Sequence, residues 1–334
     1  MKNLDDEKLI IIGENINTTR QIRATSKNIV RRDGKVFFRY DGLDGKDGFL
    51  DITEQWPEDE KKVAQARISH IGQGVRSQDL DFLTWAIMAQ VNAGAQIVDL
   101  CVDALSVYPE ERHEYMRWMV KTAQNICPGV SFSVDSSDPE TLRAGLEAYD
   151  MSLSRPAINS VNLEPGREKV IDIGKEAGAI IFANGSGASG MPQDDKERVE
   201  NITRIMAMMD ARDVPMQDRF LDPLVFPVGA GPLYGKHFLD AVRTLRTKYP
   251  EVRIFGGLSN VSFGLPRRKL LNDAFIRLSM EAGCNAVMID PIMNPLAEIM
   301  APPADQHEFE MAAAVMTAED EFGLNYLKYV RSQK

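Results

Sequence analysis

VSFSVDSSDPETLRAGLEAY, residues 130–149, contains one copy of the pattern on which the fold rests. A short apolar run rich in β-branched and aromatic side chains ends on Asp135. Ser137 or Asp138 then offers a helix cap, and PETLRAGLEAY carries apolar residues at helical spacing. The unit is a strand followed by a helix, with polar residues at the junction.

Seven more runs of this kind punctuate the chain: LIIIGENIN (9–17), IVDLCVD (97–103), PAINSVN (156–162), AIIFANG (179–185), RFLDPLV (219–225), VRIFGGLSN (252–260) and AVMIDPI (286–292). Between them lie stretches with helical periodicity, among them FLTWAIMAQVNAG ending at Gly94, REKVIDIGKEAG and KLLNDAFIRLSMEAG. Their closing Ala-Gly is a helix stop, because glycine takes the left-handed conformation before the next strand. Runs alternating with amphipathic helices build a parallel sheet covered by helices. Eight of them predict closure into a (β/α)8 TIM barrel, here one α/β domain over residues 1–334.

Two segments stand outside the repeat. Residues 18–80 form a long insertion after the first strand, with Asp-Gly steps that predict a hairpin. Its position places it on the active-site face as a lid or docking element. There Arg20, Arg23, Lys27, Arg31 and Arg32 would meet an anionic ligand or an acidic partner. Residues 303–334 are expected to be a C-terminal helical extension.

Six runs end in polar residues: Glu14, Asn15 and Asn17; Asp99 and Asp103; Asp135; Asn159 and Asn162; Asp222; Ser259 and Asn260. In a parallel barrel these ends share one face, where active sites form. Helix capping accounts for some of them, Ser137 or Asp138 most clearly, but not for the whole ring.

A net charge of −10 argues against general attraction to nucleic acid or anionic membranes. No apolar run nears the ~20 residues of a membrane span, and the acidic start MKNLDDEK is unlike a signal peptide, so the cytoplasm is expected. Cys101, Cys127 and Cys284 lie far apart and are expected to be reduced and buried. His70, His113, His237 and His307 lack metal-site spacing, so no metal is expected on this chain. GSGASG (185–190) matches a dinucleotide fingerprint, but Met191-Pro192 follows at once and no acidic strand end comes ~20 residues later. DGLDGKDGFLD (41–51) lacks the closing glutamate of a calcium loop and reads as a surface turn. No G-x-S-x-G elbow presents a serine nucleophile.

In order, GENIN (13–17), SVDSSD (133–138), INSVN (158–162), LDPLVFPVG (221–229) and GGLSNVS (256–262) resemble the pterin-binding methyltransferases that demethylate methyltetrahydrofolate, including the folate domain of cobalamin-dependent methionine synthase. The resemblance covers almost all of the chain outside 18–80 and the tail, and implies a dihydropteroate synthase-like barrel. It implies that Asp135, Asn159 and Asp222 hold the pterin, whose edge presents N–H donors that a carboxylate accepts in pairs. It also implies a catalytic Asn260 flanked by Gly257 and Ser259, with Arg268 near the pterin and Glu14 and Asn17 as further contacts. The implied acceptor is cobalamin; with no D-x-H-x-x-G segment here, the corrinoid is expected on a separate protein. A homodimer is usual in the family. Two rival expectations are a dihydropteroate synthase-type enzyme and a non-catalytic pterin-binding subunit. Where dihydropteroate synthases carry Ser-Arg-Lys after the seventh strand and Arg-x-His on the eighth, this chain reads SNVSFG and MIDPIMNP.

Overall fold

The apolar runs become strands because both of their faces are covered. In IVDLC (97–101) every residue is buried, as parallel strands under helices require. The computed structural model describes residues 4–333. Its principal sheet consists of β1 (Ile10–Asn17), β2 (Ile97–Cys101), β3 (Ser131–Asp135), β4 (Ala157–Val161), β5 (Ile180–Asn184), β6 (Arg219–Asp222), β7 (Arg253–Ile254) and β8 (Ala286–Ile289). The order is β7-β6-β5-β4-β3-β2-β1-β8, one strand from each run in the sequence. The terminal members meet: Gly257 bridges Met288 in parallel, and the Met288 N–H donates to the Gly256 carbonyl at 3.1 Å. Eight parallel strands with flanking helices thus form the nearly closed barrel expected from the sequence.

The longer helices are α1 (Leu80–Asn92), α2 (Pro109–Ile126), α3 (Pro139–Glu147), α4 (Lys169–Glu176), α5 (Asp195–Asp210), α6 (Tyr234–Lys248), α7 (Arg268–Ala282), α8 (Gln306–Met316) and α9 (Leu324–Ser332). The Ala-Gly stops behave as expected: Gly178 and Gly283 follow α4 and α7 with φ of 59° and 124°.

Chain contacts divide the described residues into two units, one of Glu14–Asn92 with Ile97–Pro156, the other chiefly Ala157 onward with the start of β1. In the first, the insertion is more structured than one hairpin. Ile29–Arg32, Lys35–Asp41 and Asp47–Asp51 form a three-stranded antiparallel sheet. The first turn is Asp33-Gly34 with φ of 50° and 73°, both positive as a two-residue hairpin demands. DGLDGKDGFLD is therefore half turn and half strand. Alternation along Lys35–Asp41 buries Val36, Phe38 and Tyr40. Tyr40 lies 4.7 Å from Trp85 and Phe38 lies 4.8 Å from His70, ring centre to ring centre. Burial first, then the charge of Arg20, push His70 down to about 4, so it is a neutral member of this aromatic core.

In the second unit the barrel interior includes Phe182, stacked on Phe220 at 5.5 Å and tilted against Phe255 at 4.8 Å. The tail forms α8 and α9. Arg267 makes a forked pair with Glu308, whose carboxylate also accepts from Tyr329 at 3.0 Å, so the tail grips the corner where α7 begins. Cys101 and Cys284 are buried free thiols, whereas Cys127 is half-exposed, contrary to expectation, because it follows α2 in a turn. No helix among the described residues is long and apolar enough to cross a membrane.

Candidate pterin site

In the second unit, ladder register brings consecutive strand ends side by side. Phe182 pairs with Asn159, and Asn184 with Asp222, while the Phe255 N–H reaches the Leu221 carbonyl at 2.9 Å. Asn184 and Asp222 therefore close adjacent strands, Asn159 lies mid-strand on β4 beside Phe182, and the Gly256-Gly257 step follows β7. Asn184, the last residue of β5, is one that the sequence reading does not single out. Its Nδ2 donates to Ser160 Oγ at 2.7 Å and its Oδ1 accepts from the Ser186 N–H at 3.1 Å. The β4–β5 register slips by one residue beside Ser160.

Asp222 is half-buried at the end of β6. Its Oδ1 accepts from the Leu224 N–H at 2.8 Å, across a turn in which Leu224 adopts φ of 69°. Burial pushes this carboxyl up to about 7, against the opposing pull of the Leu224 N–H and the charge of Arg198. A carboxylate at the border of neutrality in a half-buried strand end is what a cation-like or N–H-rich ligand stabilises.

After β7 the chain turns through a short 3-10 helix, Leu258–Ser262, and the glycines have a local reason. A Cβ on Gly257 would stand 2.9 Å from Asn260 Nδ2, and one on Gly256 would meet the Phe238 ring at 2.8 Å. Ser259 is buried and its Oγ has no hydrogen-bond partner among the described residues. The half-buried Asn260 uses only its backbone, donating to the Gly257 carbonyl at 3.1 Å and accepting from Phe263 at 3.2 Å. Its side-chain amide bonds to no described residue, so it is not the helix cap that its position after a strand would otherwise suggest.

The turn is held from behind. Arg268, the first residue of α7, donates to the Ser259 carbonyl at 2.7 Å and to Ser262 Oγ at 3.0 Å, and lies over the Phe263 ring at 4.4 Å. Ser262 in turn donates to Asn272 Oδ1 at 2.6 Å, and Asn272 reaches Asn294 at 3.3 Å, all three fully buried. Buried polar groups connected this way fix one geometry. Nothing in the sequence marks Asn272 and Asn294 as part of it. The loop after β6 joins in, with the Val228 N–H bonded to the Val261 carbonyl at 3.0 Å.

In the first unit, Asp135 closes β3 opposite Cys101 and is half-buried. Asp103 organises the loop beyond it, accepting from Ser136 Oγ at 2.6 Å and from the Ser137 N–H and Oγ at 2.7 Å each. Asp138 is the cap of α3, bonded to the N–H groups of Glu140 and Thr141 at 3.2 and 3.1 Å and to His113 at 3.1 Å. Burial works against its ionisation, yet the bonds from Thr141, His113 and the helix N–H groups outweigh that and hold it below the usual range. Asn17 spends its Oδ1 on the Thr19 N–H and hydroxyl at 2.9 and 2.6 Å, and Asn162 likewise turns onto Glu164 at 2.9 Å. Glu14 lies 3.7 Å from Arg20. Of the strand-end residues, then, Asp103, Asn17 and Asn162 commit side-chain oxygens to local turns, while Asn260 commits none.

The pterin-binding enzyme family model matches residues 69–290. The chain belongs to that family. It is 28% identical over 226 residues to a methylcorrinoid:tetrahydrofolate methyltransferase of Eubacterium limosum, covering 66% of this chain and 80% of that one. It is also 28% identical over 213 residues to methionine synthase of Mycobacterium tuberculosis, covering 60% of this chain and only 17% of the far longer relative. The fold matches dihydropteroate synthase from Xanthomonas albilineans, solved with 7,8-dihydropteroate, with a TM-score of 0.52 at 13% identity over 89% of this chain and 93% of that one. No group of three or more His, Cys, Asp or Glu among the described residues is arranged to hold a metal ion.

Proposed function

We propose that this chain is a methyltransferase that moves the N5-methyl group of methyltetrahydrofolate to, or from, the cobalt of a corrinoid carried by a separate protein. Similarity to a methylcorrinoid:tetrahydrofolate methyltransferase and to methionine synthase supports the substrate pair. Asp222, Asp135 and Asn159 accept and donate along the guanidine-like edge of the pterin, with Asn17 and Glu14 as outer contacts. Asp222 keeps Oδ2 uncommitted for this, since among the described residues only Oδ1 is bonded.

The observation that carries the reading is the idle Asn260 amide. A tertiary amine releases a methyl group readily only when N5 is protonated, because the C–N bonding pair returns to the nitrogen and the proton keeps the departing amine neutral. An amide oxygen placed to accept from that N–H favours the transition state more than the ground state. Gly257 leaves room for the amide, Ser259 supplies an unbonded hydroxyl beside it, and Arg268 fixes the turn. When docked, the corrinoid of the partner supplies a nucleophilic cobalt centre as methyl acceptor.

The test is methyl transfer to free cob(I)alamin. Asn260→Ala is expected to lower kcat on the order of 10²-fold, with methyltetrahydrofolate Kd by calorimetry changed less than about threefold. Full activity in this variant removes Asn260 from the chemistry. Product in a dihydropteroate-forming assay, with no methyl transfer, would turn the reading to a condensing enzyme; folate binding without either turnover would make the chain a binding subunit.

A further inference from the structure

Arg198 on α5 is among the largest fully buried side chains, at 0% exposure, and no carboxylate among the described residues pairs with it directly. Its Nε donates to the Leu224 carbonyl at 3.3 Å and its Nη1 to the Asp194 carbonyl at 2.9 Å. The guanidinium lies over Phe226 at 4.7 Å, and Nη2 is buried without a partner among the described residues. A buried cation bonded to carbonyl oxygens and an aromatic face, with no direct ion pair among the described residues, is expensive, so its charge calls for a role.

The residue it grips supplies one. Leu224 is the residue whose N–H binds Asp222 Oδ1, and whose left-handed backbone lets the turn close. Arg198 thus holds the far side of the peptide turn that orients the carboxylate, and its charge acts on Asp222 without occupying either oxygen. A direct ion pair would fill the oxygen that a ligand needs. We propose that Arg198 is a positioning residue that fixes the Asp222 carboxylate in place and favours its ionised, ligand-ready form. This rests on the reading of Asp222 as a pterin contact.

Other groups near the pair do not take over this task. Cys284 faces Asp222, but burial, then the charge of Asp222, push its thiol far above the ordinary range, so it stays neutral. Tyr234, Asp194 and Asp195 face Arg198 and favour its charged form, against burial, which lowers it. Arg198 is therefore the cation that acts on Asp222, opposing the burial that raises the acid.

The experiment titrates the Asp222 carboxyl directly by ¹³C NMR of aspartate-labelled protein without folate, the resonance being assigned by its loss in Asp222→Asn. Arg198→Met is expected to move the midpoint up by about one unit, a tenfold change in the ionisation equilibrium. Arg198→Gln keeps a donor to the Leu224 carbonyl without the charge; it should move the midpoint the same way and decides the matter if the Met variant does not fold. Arg198→Lys, which keeps the charge, should leave the midpoint near that of the wild type. Methyltetrahydrofolate affinity in the Gln variant should be several-fold weaker at pH 7 and recover toward pH 9. An unmoved midpoint in the neutral variants overturns the proposal. Unchanged folate affinity in Asp222→Asn instead sinks Asp222 as a pterin contact, and the carboxyl titration still judges Arg198 alone.

Discussion

The insertion and the turn after β7 handle polar groups in opposite ways. Along the insertion, charges pair off in solvent: Arg31 with Glu60 at 2.6 Å, Lys35 with Asp51 at 2.9 Å, Lys46 with Asp44 at 3.3 Å. Arg32 rests on the Phe37 and Phe49 rings at 4.7 and 4.1 Å. The buried ring nitrogens there without a partner among the described residues are His70 Nδ1, whose ring packs on Phe38 and Phe82, and Trp56 Nε1, whose ring lies under Arg31. In the turn, the unbonded groups are neighbours, Ser259 Oγ and the Asn260 amide, and a fully bonded layer of Ser262, Asn272 and Arg268 stands behind them. Adjacent idle polar groups on a rigid backing mark a site, while charges that satisfy one another mark scaffold.

If the insertion is scaffold, its removal is the largest effect to expect. Val36, Phe38, Tyr40, Leu50 and Ile52 are buried, and the aromatic ones pack on Phe82 and Trp85 of α1. At ~1.5–3 kcal/mol for each large buried apolar side chain, their loss is roughly 8–15 kcal/mol, the size of a typical whole-domain stability. Deleting residues 22–57 should therefore abolish cooperative thermal unfolding and lose activity equally with free cobalamin and with protein-bound corrinoid. Shortening only the exposed loop 42–46 to Asn-Gly should leave the melt intact. A folded deletion protein that lost only the protein-bound reaction would make the insertion a docking element instead.

Asp222→Asn probes the turn side of the contrast and separates function from stability. Folate binding should weaken on the order of 1–3 kcal/mol, the cost of losing a charge-assisted bond. Stability should go the other way. The folded carboxyl titrates near 7, above its ordinary value of 3.8, so its favourable contribution is complete below about 4 and is lost as pH rises through about 7. The asparagine, which does not titrate and still accepts from Leu224, should melt about 2–5 °C higher at pH 8, with the gap narrowing below pH 7 and closing near about pH 4. A variant less stable than wild type at pH 8 would contradict a strained, ligand-seeking carboxylate.

The same contrast explains what was legible in the sequence. Strands buried on both faces read as apolar runs, so each barrel strand is visible; even so VRIFGGLSN yields only Arg253–Ile254 as ladder, because Gly256 and Gly257 leave it to approach Phe238 and Asn260 closely. The second hairpin of the insertion escaped because Asp-Gly-rich sequence reads as turn. What makes it a strand is tertiary: a Cβ on Gly48 would stand 2.2 Å from the Tyr40 ring. Asp222 and Asn260 stood out as polar residues ending apolar runs. Arg198 lies among like residues in DKERVENITRIM, and nothing local says that this one faces inward. Asp103 and Asn162 show the converse, since a polar strand end serves a turn as readily as a ligand.

The smallest effect belongs to the exposed charges of the insertion. Arg31 and Glu60 are 56% and 61% exposed, a setting in which an ion pair is worth ~0–1 kcal/mol, so Arg31→Ala should shift Tm by no more than about 2 °C. Arg31→Ala combined with Arg32→Ala sharpens the comparison. If these side chains steer an acidic partner, kcat/KM with protein-bound corrinoid should fall about two- to threefold at low salt, and the difference should vanish as salt screens it. Free cobalamin should react unchanged, because no step at the pterin uses these residues. A loss with both acceptors would mean that the rim of the insertion acts on the site itself, and the division between scaffold and site would have to be redrawn around it.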